Sequence, residues 1–353
     1  MSSSLTVIAG RRACALLKEN GFRQELFNGL AAASGGPKWF ILFGLDRYLF
    51  GDFFRDRLTP LHTVGSSAGA WQMSCFAQQD PVAAITRLAD YYSHETYSDK
   101  PTTQEITDQA RVMVQHMLGS KGAEEIASNS LIQTHLLANR CRGLVASEAP
   151  WLQTLGLGLA ATANAISRKW LGTFFERAIF HAGARSHYRF DDFNTRYIRL
   201  TPENVEDALM ASGSIPLVLQ GVQNINGAPT GTYRDGGIID YHFDLPFRDY
   251  DGLLLYPHFS QEVTPGWFDK KLSYRRVAPE NYDNVVLLTP STELIDRLPY
   301  QKISDRNDFK NLDTTTRQKY WQTVLNESQR MAEDLDAMIH HGKGLENIRL
   351  IAE

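Results

Sequence analysis

Leu61-His62-Thr63-Val64-Gly65-Ser66-Ser67-Ala68-Gly69 is the stretch on which the reading of this 353-residue chain turns. Leu61 to Val64 read as a short strand. Beyond the second glycine, Trp71, Met73 and Phe76 fall in a helical pattern. Between strand and helix lies a G-x-S-x-G. A chain that passes from a strand straight into a helix around a serine needs small residues two positions before and after it, because only then can the backbone close so tightly. Such a turn projects the Ser67 hydroxyl, and the helix that follows aims its positive end at any negative charge developing there. The pentapeptide alone is also what a plain turn looks like in a chain rich in Gly, Ser and Ala. The strand-then-helix setting favours a nucleophile.

The same grammar precedes it. Phe27 to Ala33 (FNGLAAA) reads as a buried strand, Ser34-Gly35-Gly36-Pro37 as a turn, and Lys38 to Phe50 as helical, with Pro37 suited to a first helical position where no N–H is needed. Strand, glycine turn and helix, repeated, predict a parallel sheet with crossovers and hence an α/β fold, a central mostly parallel sheet flanked by helices. Further on, Pro81 to Ser147 read as mostly helical and Ala149 to Phe180 as a second helical region with an apolar bias. Tyr197 to Thr201 read as a strand and Asn204 to Ser212 as a short helix. Thr232 and Tyr233 lead into Asp235-Gly236-Gly237. Leu253 to Tyr256 and Val285 to Leu288 are late strands. Thr314 to His341 are expected as one long amphipathic helix. Trp321, Val324, Leu325, Met331, Leu335 and Met338 form its buried stripe, and Gly342 its stop.

Composition narrows the function classes. A net charge of −4 with no Lys/Arg-rich run gives no electrostatic reason to expect nucleic acid. Cys14, Cys75 and Cys141 are isolated, with neither a disulfide framework nor metal-ligand spacing, so packing thiols in a reducing compartment and no metal are expected. Gly156-Leu157-Gly158-Leu159-Ala160-Ala161 matches a dinucleotide-binding string but lacks the preceding strand, so no cofactor is called for. Arg11 and Arg12 follow the short apolar run Leu5 to Ala9, the reverse of an export signal. Ala149 to Ser167 carry no formal charge, yet Gln153, Thr154, Thr162, Asn164 and Ser167 make a lipid-spanning helix a poor reading. A cytoplasmic protein is the expectation, with membrane contact through residues 149–180 as an addition to it.

Serine is inert unless a base accepts its proton. Among ten histidines, His242, His340 and His341 lie late enough in the chain to serve. The last two sit at the end of the long helix, where they complement its dipole. Asp235 is the other candidate. Gly35 and Gly36, at a strand-to-helix turn, can direct amides at a tetrahedral oxygen.

In chain order the set is Ser34-Gly35-Gly36-Pro37-Lys38, then Gly65-x-Ser67-x-Gly69, then Asp235-Gly236-Gly237, with Ala208-Leu209-Met210-Ala211-Ser212-Gly213-Ser214-Ile215-Pro216 just upstream of the last. That combination resembles the patatin-like phospholipase family over about Phe27 to Asp244. The resemblance implies a three-layer α/β sandwich and a Ser67–Asp235 dyad without histidine. It also implies oxyanion amides at Gly35, Gly36 and Lys38, and hydrolysis of a lipid acyl ester through an acyl-enzyme. The sequence offers no calcium site, so no calcium requirement is expected. A catalytic domain over 27–250 is expected, preceded by an N-terminal extension over 1–26, with residues 251–353 completing the same domain. Three departures stand out: Ala33-Ser34 where the loop usually opens with Asp-Gly, Trp39 where a glycine follows the basic residue, and Pro37, which has no N–H to donate. They keep a catalytically silent lipid-binding protein of the same fold as one alternative; His242 and His340 keep a Ser–His–Asp esterase as another. For the acyl chain, residues 149–180, with Trp151, Leu155, Leu159, Ile166, Trp170 and Phe174, are the expected home, as a membrane-contacting lid or as a buried helix pair.

Overall fold

The computed structural model describes residues 3–351. Eleven strands among the described residues form one sheet: β1 Leu5–Ala9, β2 Phe27–Ala32, β3 Leu61–Ser66, β4 Ile132–Cys141, β5 Phe175–His181, β6 Thr195–Arg199, β7 Val222–Gln223, β8 Thr232–Asp235, β9 Leu253–Pro257, β10 Val285–Pro290 and β11 Arg349–Leu350. The order is β11-β1-β10-β9-β2-β3-β4-β5-β6, with β8 on the far half of β4 and β7 beyond it. The five central strands β10, β9, β2, β3 and β4 are parallel, and β1 and β5 run antiparallel to their neighbours. Parallel strands need crossovers, which put helices over the faces and bury them; β9 and β10 are buried throughout. The α/β architecture expected from the opening motifs is therefore the one observed.

One detail of register fixes where the chemistry can happen. The first six residues of β4 pair with β3, ending at Ser66 opposite Leu137. The next three pair with β8, which runs the other way and ends at Asp235 opposite Ala138. Two strands thus lie end to end along one side of β4, each pointing at the other. Ser67 leaves one tip and Asp235 occupies the other.

Four expectations need correction. Pro81 to Ser147 are not all helical. Helices Pro81–His94, Thr103–Leu118 and Gly122–Ser128 are followed by β4, whose residues are buried on both faces and so show no alternation. Residues 149–180 are not a helix pair. Helix Pro150–Ile166 and a 3-10 stretch lead into β5, whose Glu176 and Arg177 disguise a fully buried strand. Glu176 is met by Arg140, Arg142 and Arg196, and Arg177 by Asp192 and Asp240. The C-terminal helix is two helices, Thr314–Glu327 and Gln329–His341, parted at Ser328, whose buried hydroxyl accepts a bond from the Gly44 amide. All six residues of the expected stripe are nonetheless buried. Residues 5–20, read as part of an extension, belong to the sheet domain: β1 pairs along β10, and Gly10 donates its amide to Val285. Their partner lies near the other end of the chain, so no local pattern announces it. All three cysteines are buried and form no disulfide.

Candidate active site

Ser67 sits at φ 54° and ψ −126°, a strained conformation for a residue with a side chain. The neighbouring backbone leaves it no choice. A Cβ on Gly65 would lie 2.4 Å from the Gly69 carbonyl oxygen, and one on Gly69 would lie 2.0 Å from that of Ala32. Glycine at both positions lets β3 run straight into helix Ala68–Phe76. The Ser67 amide donates to Ser212 Oγ at 2.9 Å, and that hydroxyl donates onward to the Leu137 carbonyl at 2.6 Å. The elbow is so clipped to β4.

At the facing strand tip, Asp235 Oδ2 accepts the Ser67 hydroxyl at 2.8 Å. Its other oxygen accepts the Gly237 amide at 2.7 Å, and its own amide donates to Ser214 at 3.0 Å. Asn139, from the stretch of β4 that carries β8, donates to the carbonyls of Asp235 and Gly236. Burial pushes the Asp235 carboxyl up to about 6, against the opposing pull of the Ser67 hydroxyl, the Gly237 amide and the Arg306 charge.

Gly35, Gly36 and Lys38 line the same cavity as Ser67 and Asp235. Gly36 has φ 57°, which turns the loop back sharply. The Lys38 amide donates weakly to the Gly35 carbonyl at 3.4 Å. Among the described residues, the amides of Gly35 and Gly36 have no protein acceptor. Ser34 ties this loop to the elbow, its hydroxyl 2.9 Å from that of Ser66.

A model of the patatin-like phospholipase family matches residues 30–243, well over half of the chain. The chain belongs to that family. Among solved structures it is similar to VipD from Legionella pneumophila, at 11% identity and a TM-score of 0.33, over 99% of this chain and 75% of that one. A search of curated proteins finds no match.

Within this patatin-like chain two cavities meet at Ser67, sharing Gly36, Ser67, Ile215 and Arg306. One, of about 110 Å³, is polar and also holds Asp235, Lys38, Lys270 and Asp305. The other, of about 730 Å³, has Trp71, Met113, Val218, Leu219, Phe309 and Leu312 along its apolar wall. No residue of 149–180 lines either one, which corrects the expected acyl-chain home. Helix Pro150–Ile166 instead borders the site from outside. Buried Gln153 accepts the Leu217 amide at 2.7 Å, and buried Asn164 donates to Asp269 at 2.7 Å, next to cavity-lining Lys270. Its outer face bears Trp151 and Ile166, 70% and 66% exposed, with Leu155 and Leu159 also open to solvent; Trp170, in the 3-10 stretch that follows, is exposed as well.

No histidine lines either cavity. His242 is buried, its Nδ1 accepting the Thr264 amide, and burial pulls its pKa well down. His340 is exposed and paired with Asp336 at 3.4 Å. Sequence reasoning missed Lys270 and Arg306, which lie beyond the family match. Isolated cations on irregular segments carry no motif, so nothing in the chain flags them.

Proposed function

We propose that this patatin-like chain is a serine acyl hydrolase that cleaves a carboxylic ester of a lipid with Ser67 as nucleophile and Asp235 as base. The observation that carries this reading is the 2.8 Å bond between Ser67 Oγ and Asp235 Oδ2, in a cavity without histidine. Asp235 takes the hydroxyl proton as Ser67 Oγ attacks the ester carbonyl. The Gly35 and Gly36 amides receive the oxyanion. The C–O bond to the alcohol breaks, and the alcohol leaves with the proton from Asp235. Asp235 then deprotonates a water that attacks the acyl-enzyme, and collapse releases the fatty acid as Asp235 returns that proton to Ser67 Oγ. A carboxyl titrating at about 6 is still largely ionised at neutral pH and is a better base than an ordinary aspartate, which suits it to the task.

The large cavity is the candidate for the acyl chain. The uncharged outer face of helix Pro150–Ile166, with exposed Lys169, Lys271 and Arg276 nearby, suits the surface of an anionic bilayer. Among the described residues no helix is long and apolar enough to cross a membrane.

A fluorophosphonate probe tests the reading. Wild-type protein labels and hydrolyses a medium-chain ester, Ser67→Ala does neither, and Asp235→Asn loses both by at least about a hundredfold. Well-folded protein that takes no label argues for a silent lipid-binding protein. Dependence on His242 or His340, with Asp235 dispensable, argues for a triad.

A further inference from the structure

The small cavity beside Ser67 is charged in an unusual way for a chain whose net charge is −4. Lys38, Lys270 and Arg306 all face about 110 Å³ of space. Asp305 pairs with Lys38 at 3.6 Å. Among the described residues, no carboxylate lies within ion-pair distance of Lys270 or Arg306. The Lys270 ammonium instead sits 3.8 Å from the centre of the Tyr241 ring. Desolvation first, then the charges of Lys38 and Arg306, pull its pKa down to about 8, against the opposing charges of Asp235 and Asp305. Arg306 reaches the rim of the oxyanion loop. Its Nη2 lies 3.2 Å from where a Cβ on Gly36 would stand, and the Tyr92 hydroxyl lies 3.3 Å from the same point.

The two cavities leave Ser67 with opposite character. On one side is an apolar wall that suits a hydrocarbon chain. On the other are two solvent-exposed cations with no carboxylate in ion-pair contact among the described residues, one of them a planar fork of donors, with Asp235 and Asp305 on the same cavity wall. A phosphomonoester, with close to two negative charges and three acceptor oxygens, is the group that satisfies such a pair. A glycerol hydroxyl would bring no negative charge to the two cations, and a choline would add a further positive charge to a cavity that already holds three.

We propose that Lys270 and Arg306, backed by Lys38, form a subsite for a phosphomonoester on the alcohol side of the scissile ester. The preferred substrates are then acyl esters of glycerol phosphates, ahead of neutral acylglycerols and choline-headed lipids. This inference rests on the acyl-hydrolase reading. It assigns a specificity role to the last hundred residues, which lie outside the family match.

The test compares 1-octanoylglycerol 3-phosphate, 1-octanoylglycerol and 1-octanoylglycerophosphocholine, so that acyl chain and ester stay constant. The wild-type chain is expected to show kcat/KM at least about tenfold higher for the phosphomonoester than for the other two. Lys270→Gln and Arg306→Gln each reduce that ratio about tenfold, chiefly through KM, and Lys270→Arg restores most of it. Exposed Lys319→Gln, outside both cavities, leaves the ratio in place. A wild-type ratio near one, or a ratio that neither Gln variant moves, overturns the subsite while leaving the hydrolase intact. If none of the three esters is cleaved, the hydrolase reading fails separately, and calorimetry still decides. Tighter binding of 1-octanoylglycerol 3-phosphate than of inorganic phosphate, lost in both Gln variants, supports the subsite. Equal affinity for inorganic phosphate, or binding that survives both changes, refutes it.

Discussion

Replacing Asp235 by Asn should cost activity and add stability, and both effects follow from one geometry. The carboxyl is buried, and its pKa is raised from 3.8 to about 6. In the unfolded chain the group ionises near its ordinary value. Between about pH 4 and pH 6 the folded state therefore binds more protons than the unfolded one, and stability falls as pH rises. Above pH 7 the full cost is present, about two pKa units or about 3 kcal/mol. Asn keeps the shape. Its carbonyl can accept the Gly237 amide and its NH₂ can donate to Ser67 Oγ, so the variant escapes the charge cost without losing the two bonds. With unfolding entropy near 2 cal/mol/K per residue, about 3 kcal/mol in a chain of this length moves the unfolding temperature by about 4 °C. Thermal unfolding of both proteins across pH 4–8 is the assay. The difference should be near zero at pH 4 and grow to about +4 °C in favour of Asp235→Asn by pH 7.5. Wild-type kcat/KM should rise over the same window with a midpoint near 6. A flat difference, or a variant less stable than wild type above pH 7, would refute the premise that burial dominates this carboxyl.

Gly69→Ala should destabilise the fold by about 3 kcal/mol or more, because its Cβ would stand 2.0 Å from the Ala32 carbonyl oxygen and 2.9 Å from that of Ala33, both backbone atoms that cannot swing aside; an unchanged urea midpoint would contradict the elbow geometry. Asp240→Ala removes the buried carboxylate that meets Arg177 at 2.7 Å and 2.8 Å, leaving the fully buried guanidinium with Asp192. A loss of about 3–5 kcal/mol in chemical denaturation is expected, and one below about 1 kcal/mol would mean the network is dispensable. Leu155→Glu on the outer helix face should weaken sedimentation with anionic vesicles by about tenfold or more, and undiminished binding would move the contact elsewhere.

The parts of the site legible in the sequence are those where sterics dictate residue type. Gly65 and Gly69 are required by approaches near 2 Å, and Gly36 by its positive φ, so the motif spacing mirrors the geometry. The strand signals at β2, β3, β9 and β10 are equally direct, since compact apolar runs are what two covered faces demand. What escaped notice was settled by distant partners. β4 buries His135 and Asn139, and β5 buries Glu176 and Arg177, each satisfied by groups that no local window contains. The break at Ser328 depends on the Gly44 amide, nearly three hundred residues away. Lys270 and Arg306 acquire their meaning only from the cavity they share.

Gln153 and Asn164 fasten helix Pro150–Ile166 at two points three turns apart, one to the segment carrying Ile215 and Pro216, the other to the turn carrying Trp267 and Lys270. Swinging the helix away would strip two buried amides of their partners at once, about 1–3 kcal/mol for each. It therefore behaves as a door frame rather than a door. The width of the entrance is set when the chain folds, and a load applied to the exposed tryptophans reaches both jambs together.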